Sequence, residues 1–339
     1  MPDSRKPLIS VVVIGRNEGS RLETCLRSVG AADTEGMSLE LIYVDSDSSD
    51  GSAERAQACG ASVLRVKPTR PSAALGRNAG WRAASGQYVL FLDGDTVLEH
   101  NFLRRALTEM NSSAEIAVVW GHRRETAPEA SVYNRVLDLD WIYPPGDTDF
   151  CGGDALFQRE VLERTGGFDD TLIAGEEPEL CVRLRAMGYR IRHIDAPMTG
   201  HDLAMTHWRQ YWRRAERAGH AYSEISERFA GTASPLWLRE SRRNYWHAGI
   251  IMCGLAATVL CLFAGTPEFA VVAISAASAM VVRTALRARW KHANPGTLLA
   301  YALHSHLQQL PILWGQLAWH LARRRGQSRR LIEYKGRQP

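Results

Sequence analysis

No two cysteines stand two residues apart in this chain: Cys25, Cys59, Cys151, Cys181, Cys253 and Cys261 are scattered. That removes the paired-cysteine zinc modules and any evident disulfide frame, and it is the pattern of reduced, buried thiols. Neither a G-x-G-x-x-G nor a G-x-x-x-x-G-K-[ST] loop follows the first apolar stretch, LISVVVI (8–14); the residues there are Gly15-Arg16-Asn17-Glu18. A dinucleotide oxidoreductase or a P-loop enzyme loses its main support by that absence. Helix-turn-helix, zinc-finger and RNA-binding signatures are missing too, so no nucleic-acid partner is expected. Met1–Pro7 is polar and LISVVVI is too short and lacks a cleavage site, so no signal peptide is expected either.

Acid is scarce at one end. Lys and Arg number 41 against 37 Asp and Glu over the whole chain. From Arg283 onward there are eleven basic residues and one acid, Glu333, so residues 1–282 carry about −6 and the remainder about +10. An acidic body with a basic tail suits a protein held against an anionic membrane. A hydrophobic content of 45% with 23% charged residues excludes a disordered chain. At 339 residues there is room for one catalytic-size domain and an appendage.

From Leu8 to about Ile194, short apolar runs alternate with helical patterns. LELIYVD (39–45), SVLRV (62–66), QYVLFLD (87–93) and IAVVW (116–120) read as strands. Between them, 18–29, 51–59, 72–85 and 99–110 read as helices, the first with Leu22, Cys25, Leu26 and Val29 on one face. Nearly continuous apolar strands separated by helices predict an α/β, Rossmann-like domain, a mostly parallel sheet covered on both faces. Ligands of such sheets sit at the carboxyl ends of the strands. Those ends carry Asp45, Asp93 and Asp95.

Beyond about Ala204 the composition changes. AMTHWRQYWRRAERAGHAY (204–222) sets Trp208, Tyr211, Trp212 and Ala215 at helical spacing among Arg209, Arg213, Arg214 and Arg217. This fits an interfacial membrane helix, or a helix docked on the body with its arginines in solvent. WHAGIIMCGLAATVLCLFAG (246–265) and FAVVAISAASAMVV (269–282) approach the ~20 apolar residues that cross a bilayer. Arg242 and Arg243 precede the pair, and Arg283, Arg287, Arg289 and Lys291 follow it, which places both ends in the cytoplasm. A buried soluble hairpin or an in-plane pair is the alternative. TLLAYALHSHLQQLPILWGQLAWHL (297–321) is too polar to span and is expected as one interfacial or packing helix. The expected organisation is therefore a catalytic domain (1–203), interfacial helices (204–245), a hydrophobic hairpin (246–291), and an amphipathic helix with a basic tail (292–339).

The stretch VLFLDGDTVLEHNFL (89–103) runs an apolar strand straight into Asp93-Gly94-Asp95. Two adjacent carboxylates repel, so a positive group is expected between or beside them. As hard oxygen ligands they suit Mg²⁺ or Mn²⁺ shared with substrate phosphates rather than zinc. DSDSSDG (45–51) is no calcium loop, because Asp50 occupies the turn-glycine position and Ala56 the bidentate-acid position. Asp45 is expected to accept hydrogen bonds from a base or ribose, with Asp50 or Ser49 capping the next helix.

Gly15-Arg16-Asn17-Glu18, VDSDSSDGS (44–52), LGRNAGWRAASGQYVLFLDGD (75–95) and GGFDDTLIAGEEPELCVRLRAMGYRI (166–191) follow one another in order. Together they resemble the family 2 glycosyltransferases, which have the GT-A fold, over roughly residues 8–200. The resemblance implies inverting transfer of a sugar from a nucleotide diphosphate sugar. It assigns Arg16, Glu18, Asp45, Arg77 and Asn78 to the donor, Asp93 and Asp95 to ribose and metal, and His201 to a further metal position. The family's base is the acid of a Glu-Asp pair after Gly-Phe-Asp; here the pair is Glu176-Glu177, so Glu177 holds the base position with one extra methylene. Gly152, Gly153 and Asp154 are acceptor-side candidates, their glycines admitting close approach. Gln210-Tyr211-Trp212-Arg213-Arg214 departs from the Gln-x-x-Arg-Trp motif of processive synthases, so single-sugar transfer to a membrane-embedded lipid-linked glycan at the cell inner membrane is expected, with the catalytic domain cytoplasmic. A non-catalytic membrane subunit that binds a nucleotide sugar, and a Mg²⁺-dependent nucleotidyltransferase, are the rival readings.

Overall fold

The computed structural model describes residues 9–34, 36–67 and 72–326. Leu8, the polar residues before it and the basic residues beyond 326 lie outside the described residues. The chain folds as two compact units, one of residues 1–126 with 141–202, the other of 127–140 with 203–339.

The first unit begins with β1 (Ile9–Gly15), α1 (Ser20–Gly30), β2 (Leu39–Asp45), α2 (Ser52–Ala58), β3 (Ser62–Arg65), α3 (Ala73–Ala83) and β4 (Tyr88–Asp93). The expected α1 face, Leu22, Cys25, Leu26 and Val29, is the buried one. Each such aliphatic side chain contributes about 1.5–3 kcal/mol on burial. Ser72 accepts from the Leu75 N–H and starts α3. Gly80 lets that helix lie directly on the sheet: a Cβ there would collide with one Val12 methyl and sit 3.2 Å from a Val44 methyl. At α2, Gly51 holds the cap position with φ +81°, while Asp50 accepts the Ser52 N–H at 3.0 Å.

β5 (Thr96–Leu98), α4 (Phe102–Met110) and β6 (Ile116–Glu125) follow. After α5 (Val132–Asp138), which belongs to the second unit, come β7 (Gly146–Thr148), β8 (Ala155–Gln158), α6 (Arg159–Thr165), α7 (Glu176–Ala186) and β9 (Arg190–His201). The nine strands form one sheet in the order β3-β2-β1-β4-β8-β6-β9-β5, with β7 also on β9. β1, β2, β3 and β4 are mutually parallel where they pair, as are β6 and β9. β8 runs antiparallel between β4 and β6, and β5 and β7 run antiparallel to β9. The sheet is mostly parallel, as expected, since β6 and β9 run in the direction of β4; the antiparallel β8, β5 and β7 make it mixed. The short run ALFQ of β8 carries too little pattern to announce an inserted strand. His201, expected just after a strand, is the last residue of β9.

The register aligns the functional strand ends. Gly15 faces Asp45 across β1 and β2, and Ile14 faces Asp93 across β1 and β4. The strand order turns about β1, so these ends open on the crevice where α/β sheets bind ligands.

The second unit is helical: α5, α8 (Trp208–Phe229), α9 (Leu238–Phe263), α10 (Pro267–Arg287), α11 (Pro295–Leu307) and α12 (Gln309–Arg324). The aromatic and basic helix α8 buries Tyr211, Ala215 and Gly219, and leaves Arg209 and Arg213 exposed. Gly219 rests against the Ile312 carbonyl of α12, and Gly315 against the Glu216 carbonyl of α8, so only glycines permit this crossing. α9 starts at Leu238, which puts Arg242 and Arg243 inside the helix that carries the first apolar stretch. α9 and α10 are long and apolar enough to cross a membrane, and little of either apolar window is buried within the protein. The stretch expected as one helix over 297–321 is two, parted at Gln308. Pro311 has no N–H to continue the preceding helix and is tolerated in the first turn of the next. His304 of α11 sits between the Tyr211 hydroxyl (2.7 Å) and Asp140 Oδ2 (3.1 Å), a packing role rather than an interfacial one.

Candidate active site

The turns after β1 and β2 are stitched together. Asn17, at φ +56°, accepts the Ser49 N–H at 2.8 Å and donates its own N–H to Ser48 Oγ at 3.0 Å. Asp45 is buried, accepting the Tyr43 hydroxyl at 3.2 Å and the Ser48 N–H at 3.0 Å. Burial, and then the Asp45 charge, push the Tyr43 phenol up, so it remains a donor to that carboxylate. Arg16 is exposed at the same turn, and Glu18 pairs with Arg21 at 2.9 Å.

The Asp93-Gly94-Asp95 turn reverses β4 into β5, and β5 pairs Thr96 with His201. That pairing brings the His201 Nε2 within 3.3 Å of Asp95 Oδ2, both residues being buried. Gly94 donates its N–H to the Ile14 carbonyl at 2.8 Å, and a Cβ on it would sit 3.1 Å from that oxygen. Asp93 points the other way. Its Oδ1 meets Arg77 Nη2 at 3.2 Å and its Oδ2 meets Arg123 Nη2 at 3.4 Å. The positive charge expected beside the two acids is therefore supplied, for Asp93, by two arginines.

Beneath Asp93 lies Asp154, buried, accepting the Asp93 N–H at 2.9 Å and the Thr199 hydroxyl at 2.8 Å. Burial raises its carboxyl above the usual range, Asp93 adds to this, and Arg123 works against it. A group so enclosed supports the site from behind. Of the two glycines preceding it, Gly152 has open space where a Cβ would project, whereas a Cβ on Gly153 would lie 2.5 Å from Arg77 Nη2.

Glu176 and Glu177 open α7 behind Gly175, whose φ of +85° turns the chain into the helix. Both reach Arg77 Nη1, each at 2.9 Å. Glu176 is nearly closed off, its side chain 6% exposed, while Glu177 is 17% exposed. Burial opposes the Arg77 charge, but Glu177, Asp93 and Glu176 together outweigh it and hold the guanidinium protonated. The adjacent Asn78 is buried and fully engaged with a loop: it donates to the Phe168 carbonyl (2.8 Å) and accepts from the Phe168 N–H (3.0 Å) and Trp81 Nε1 (2.9 Å). Phe168, thus fixed, lies under the Arg77 guanidinium at 5.6 Å.

Sequence patterns missed Arg123, Thr199 and Trp141. Arg123 sits 5.3 Å over the Trp141 ring, whose edge meets the His201 ring at 5.3 Å. One signal was present: Gly121-His122-Arg123-Arg124-Glu125 is a polar run at the carboxyl end of an apolar strand, where sites form. Among the described residues no three His, Cys, Asp or Glu side chains cluster as a complete metal cage; Asp95 and His201 form an oxygen–nitrogen pair.

Residues 10–166 match the family model for Glycosyl transferase family 2. Over those residues the sheet unit carries a family 2 glycosyltransferase domain, and its architecture is GT-A-like. Among curated proteins, the chain is 23% identical to a probable glycosyltransferase, YdaM, of Bacillus subtilis, over 62% of this chain and 54% of that one. It is 26% identical to the pre-mycofactocin glycosyltransferase of Mycobacterium tuberculosis, over 73% of this chain and 53% of that one. The chain thus spans little more than half the length of these relatives. Among solved structures, a mannosyltransferase of Pyrobaculum calidifontis, in complex with GDP-Man and Mn²⁺, superposes with a TM-score of 0.61 at 24% identity, over 88% of this chain and 87% of that one.

Proposed function

We propose that this chain is an inverting glycosyltransferase, moving one sugar from a nucleotide diphosphate sugar to a hydroxyl of a membrane-linked acceptor, with Glu177 as general base. The observation that carries it is the convergence of a donor-side acid, Asp93, and a helix-opening acid, Glu177, on one corner of the sheet, both on Arg77. In the transfer, Glu177 takes the proton of the acceptor hydroxyl as that oxygen bonds the anomeric carbon. The bond from that carbon to the phosphate oxygen breaks, and its electron pair leaves with the nucleoside diphosphate. Proton transfer by a positioned carboxylate supplies typically ~10²–10⁴-fold in such a step. Glu177 suits the role better than Glu176, since Oε1 holds Arg77 and Oε2 makes no hydrogen bond among the described residues.

Asp45, with Arg16 and Glu18 beside it, forms the floor for base and ribose, and the partly exposed Asp93 is assigned to the ribose side. Asn78, tied to Phe168, shapes the donor side from behind. Asp95 and His201 would hold a divalent cation, and their oxygen and nitrogen donors fit Mn²⁺ or Mg²⁺ with substrate phosphate and water completing the shell. The cation would neutralise charge growing on the departing diphosphate. The relative solved with GDP-Man and Mn²⁺ supports this reading.

The membrane-linked acceptor and a place at the cell inner membrane rest on α9 and α10, whose apolar faces are bare. Arg242, Arg243, Arg283 and Arg287 fall toward the ends that the positive-inside rule assigns to the cytoplasm, with the catalytic domain on that side. The test is Glu177→Gln: transfer should be abolished while nucleotide binding persists. Transfer at the parental rate would remove the base assignment, and nucleotide binding without any transfer by the parental chain would favour a non-catalytic subunit.

A further inference from the structure

We infer that Arg77 is a bracket, a positioning residue that fixes the Glu177 carboxylate relative to the donor-side acid Asp93. The inference rests on the reading of Glu177 as the base. Three chain segments meet on this one side chain: α3 supplies it, the end of β4 brings Asp93, and the start of α7 brings Glu176 and Glu177. Arg77 is only 2% exposed. Its Nη1 is shared by Glu176 and Glu177 and its Nη2 faces Asp93, so these N–H groups are directed at the protein's own acids rather than at a ligand. A planar guanidinium can hold several carboxylates in a fixed geometry, which an ammonium cannot.

Two neighbours show that the position is built. Phe168 supports one face of the guanidinium and is itself clamped by Asn78. Gly153 passes so close to Nη2 that any Cβ would collide at 2.5 Å, and would stand 3.2 Å from Glu177 Oε1. The bracket also accounts for a glutamate at position 177. Two adjacent acids converge on one nitrogen at 2.9 Å, and an aspartate, shorter by about 1.5 Å, would not reach it without backbone movement. The oxygen that Arg77 leaves uncovered is the one placed to take the acceptor proton.

The full chain in detergent is tested as Arg77→Lys, Gly153→Ala and Glu177→Gln, each checked for folding by its melting temperature. The binding probes are UDP, GDP and dTDP with Mn²⁺; the kinetic readout is release of nucleoside diphosphate from the matching sugar nucleotide, with water as acceptor. Arg77→Lys and Gly153→Ala are expected to bind nucleotide within about threefold of the parent, because Asp93 keeps Arg123 and its bond to Asp154. They should lose about 100-fold in kcat with KM little changed, the scale of a base misplaced by about 1 Å. Parental kcat in both variants, or a loss confined to nucleotide affinity, overturns the bracket. Should Arg77→Lys fail to fold, Gly153→Ala decides alone, since it changes no charge. Parental kcat in Glu177→Gln overturns the base reading and the bracket with it, and is distinguishable because Arg77 and Gly153 are then intact.

Discussion

Asn78→Ala removes a strut while leaving every acid of the site in place. The side chain satisfies three buried groups, the Phe168 carbonyl and N–H and the Trp81 Nε1–H. Leaving a buried polar group unpaired costs about 1–3 kcal/mol, so with one of the three rescued by water the loss is about 2–6 kcal/mol. For a folding unit of this size each kcal/mol moves Tm by roughly 2–4 °C, giving a drop of about 4–24 °C. Gly167, at φ +81° against Asn78 Oδ1, and Phe168, which packs edge-on to Phe91 at 5.3 Å, would lose their anchor together. Denaturant unfolding followed by tryptophan fluorescence measures the loss, since Trp81 reports the same site. Nucleotide affinity, measured well below the transition, should fall less than about threefold. A stability change under about 1 kcal/mol together with a tenfold fall in nucleotide affinity would refute the strut and make Asn78 a direct donor contact.

Gly219→Leu should separate α8 from α12, because its side chain would project into the Ile312 carbonyl; a cost of about 1–3 kcal/mol or more is expected, read as lost thermal stability of the helical unit with nucleotide binding retained. For Asp154 the sign follows from its raised carboxyl: the folded chain holds that proton more tightly than the unfolded one, so the contribution is fully present at low pH and is lost as pH rises through the folded value. Asp154→Asn carries no such loss and can still accept the Asp93 N–H, so its Tm relative to the parent should improve from about pH 4 toward pH 7; a difference constant with pH would contradict this. Gly80→Val should overpack α3 against Val12 and Val44 and lower stability by about 1–3 kcal/mol, measured by urea unfolding; an unchanged midpoint would mean that the helix shifts freely.

What the sequence made legible is what local pattern determines. β1, β2 and β4 are near-continuous apolar runs, and α1 buries the four residues its spacing singled out. The acids at strand ends were visible for the same reason. β8 was not, because four residues between two longer strands carry little periodicity, and its antiparallel insertion depends on pairing with β4 and β6. Arg123 and Thr199 reach the site through the register of β6 on β9, and Trp141 through its ring contacts with Arg123 and His201, which no short stretch encodes. The Arg77 bracket joins residues 99 apart along the chain, so the motifs showed its parts without showing that they touch. The polar interruption at 304–311 was read as a weakness in one helix; it marks the junction of two, with His304 bonded inward.

Nucleotide binding tests the donor site most directly. UDP, GDP and dTDP are titrated into the purified chain with Mn²⁺ and with EDTA, alongside Asp95→Ala. Metal-dependent binding of one nucleotide, lost in Asp95→Ala, is the expected result and ties the Asp93-Gly94-Asp95 turn to the donor. Failure to bind any of the three, in protein shown to be folded, would contradict the donor site and leave a glycosyltransferase domain without its chemistry.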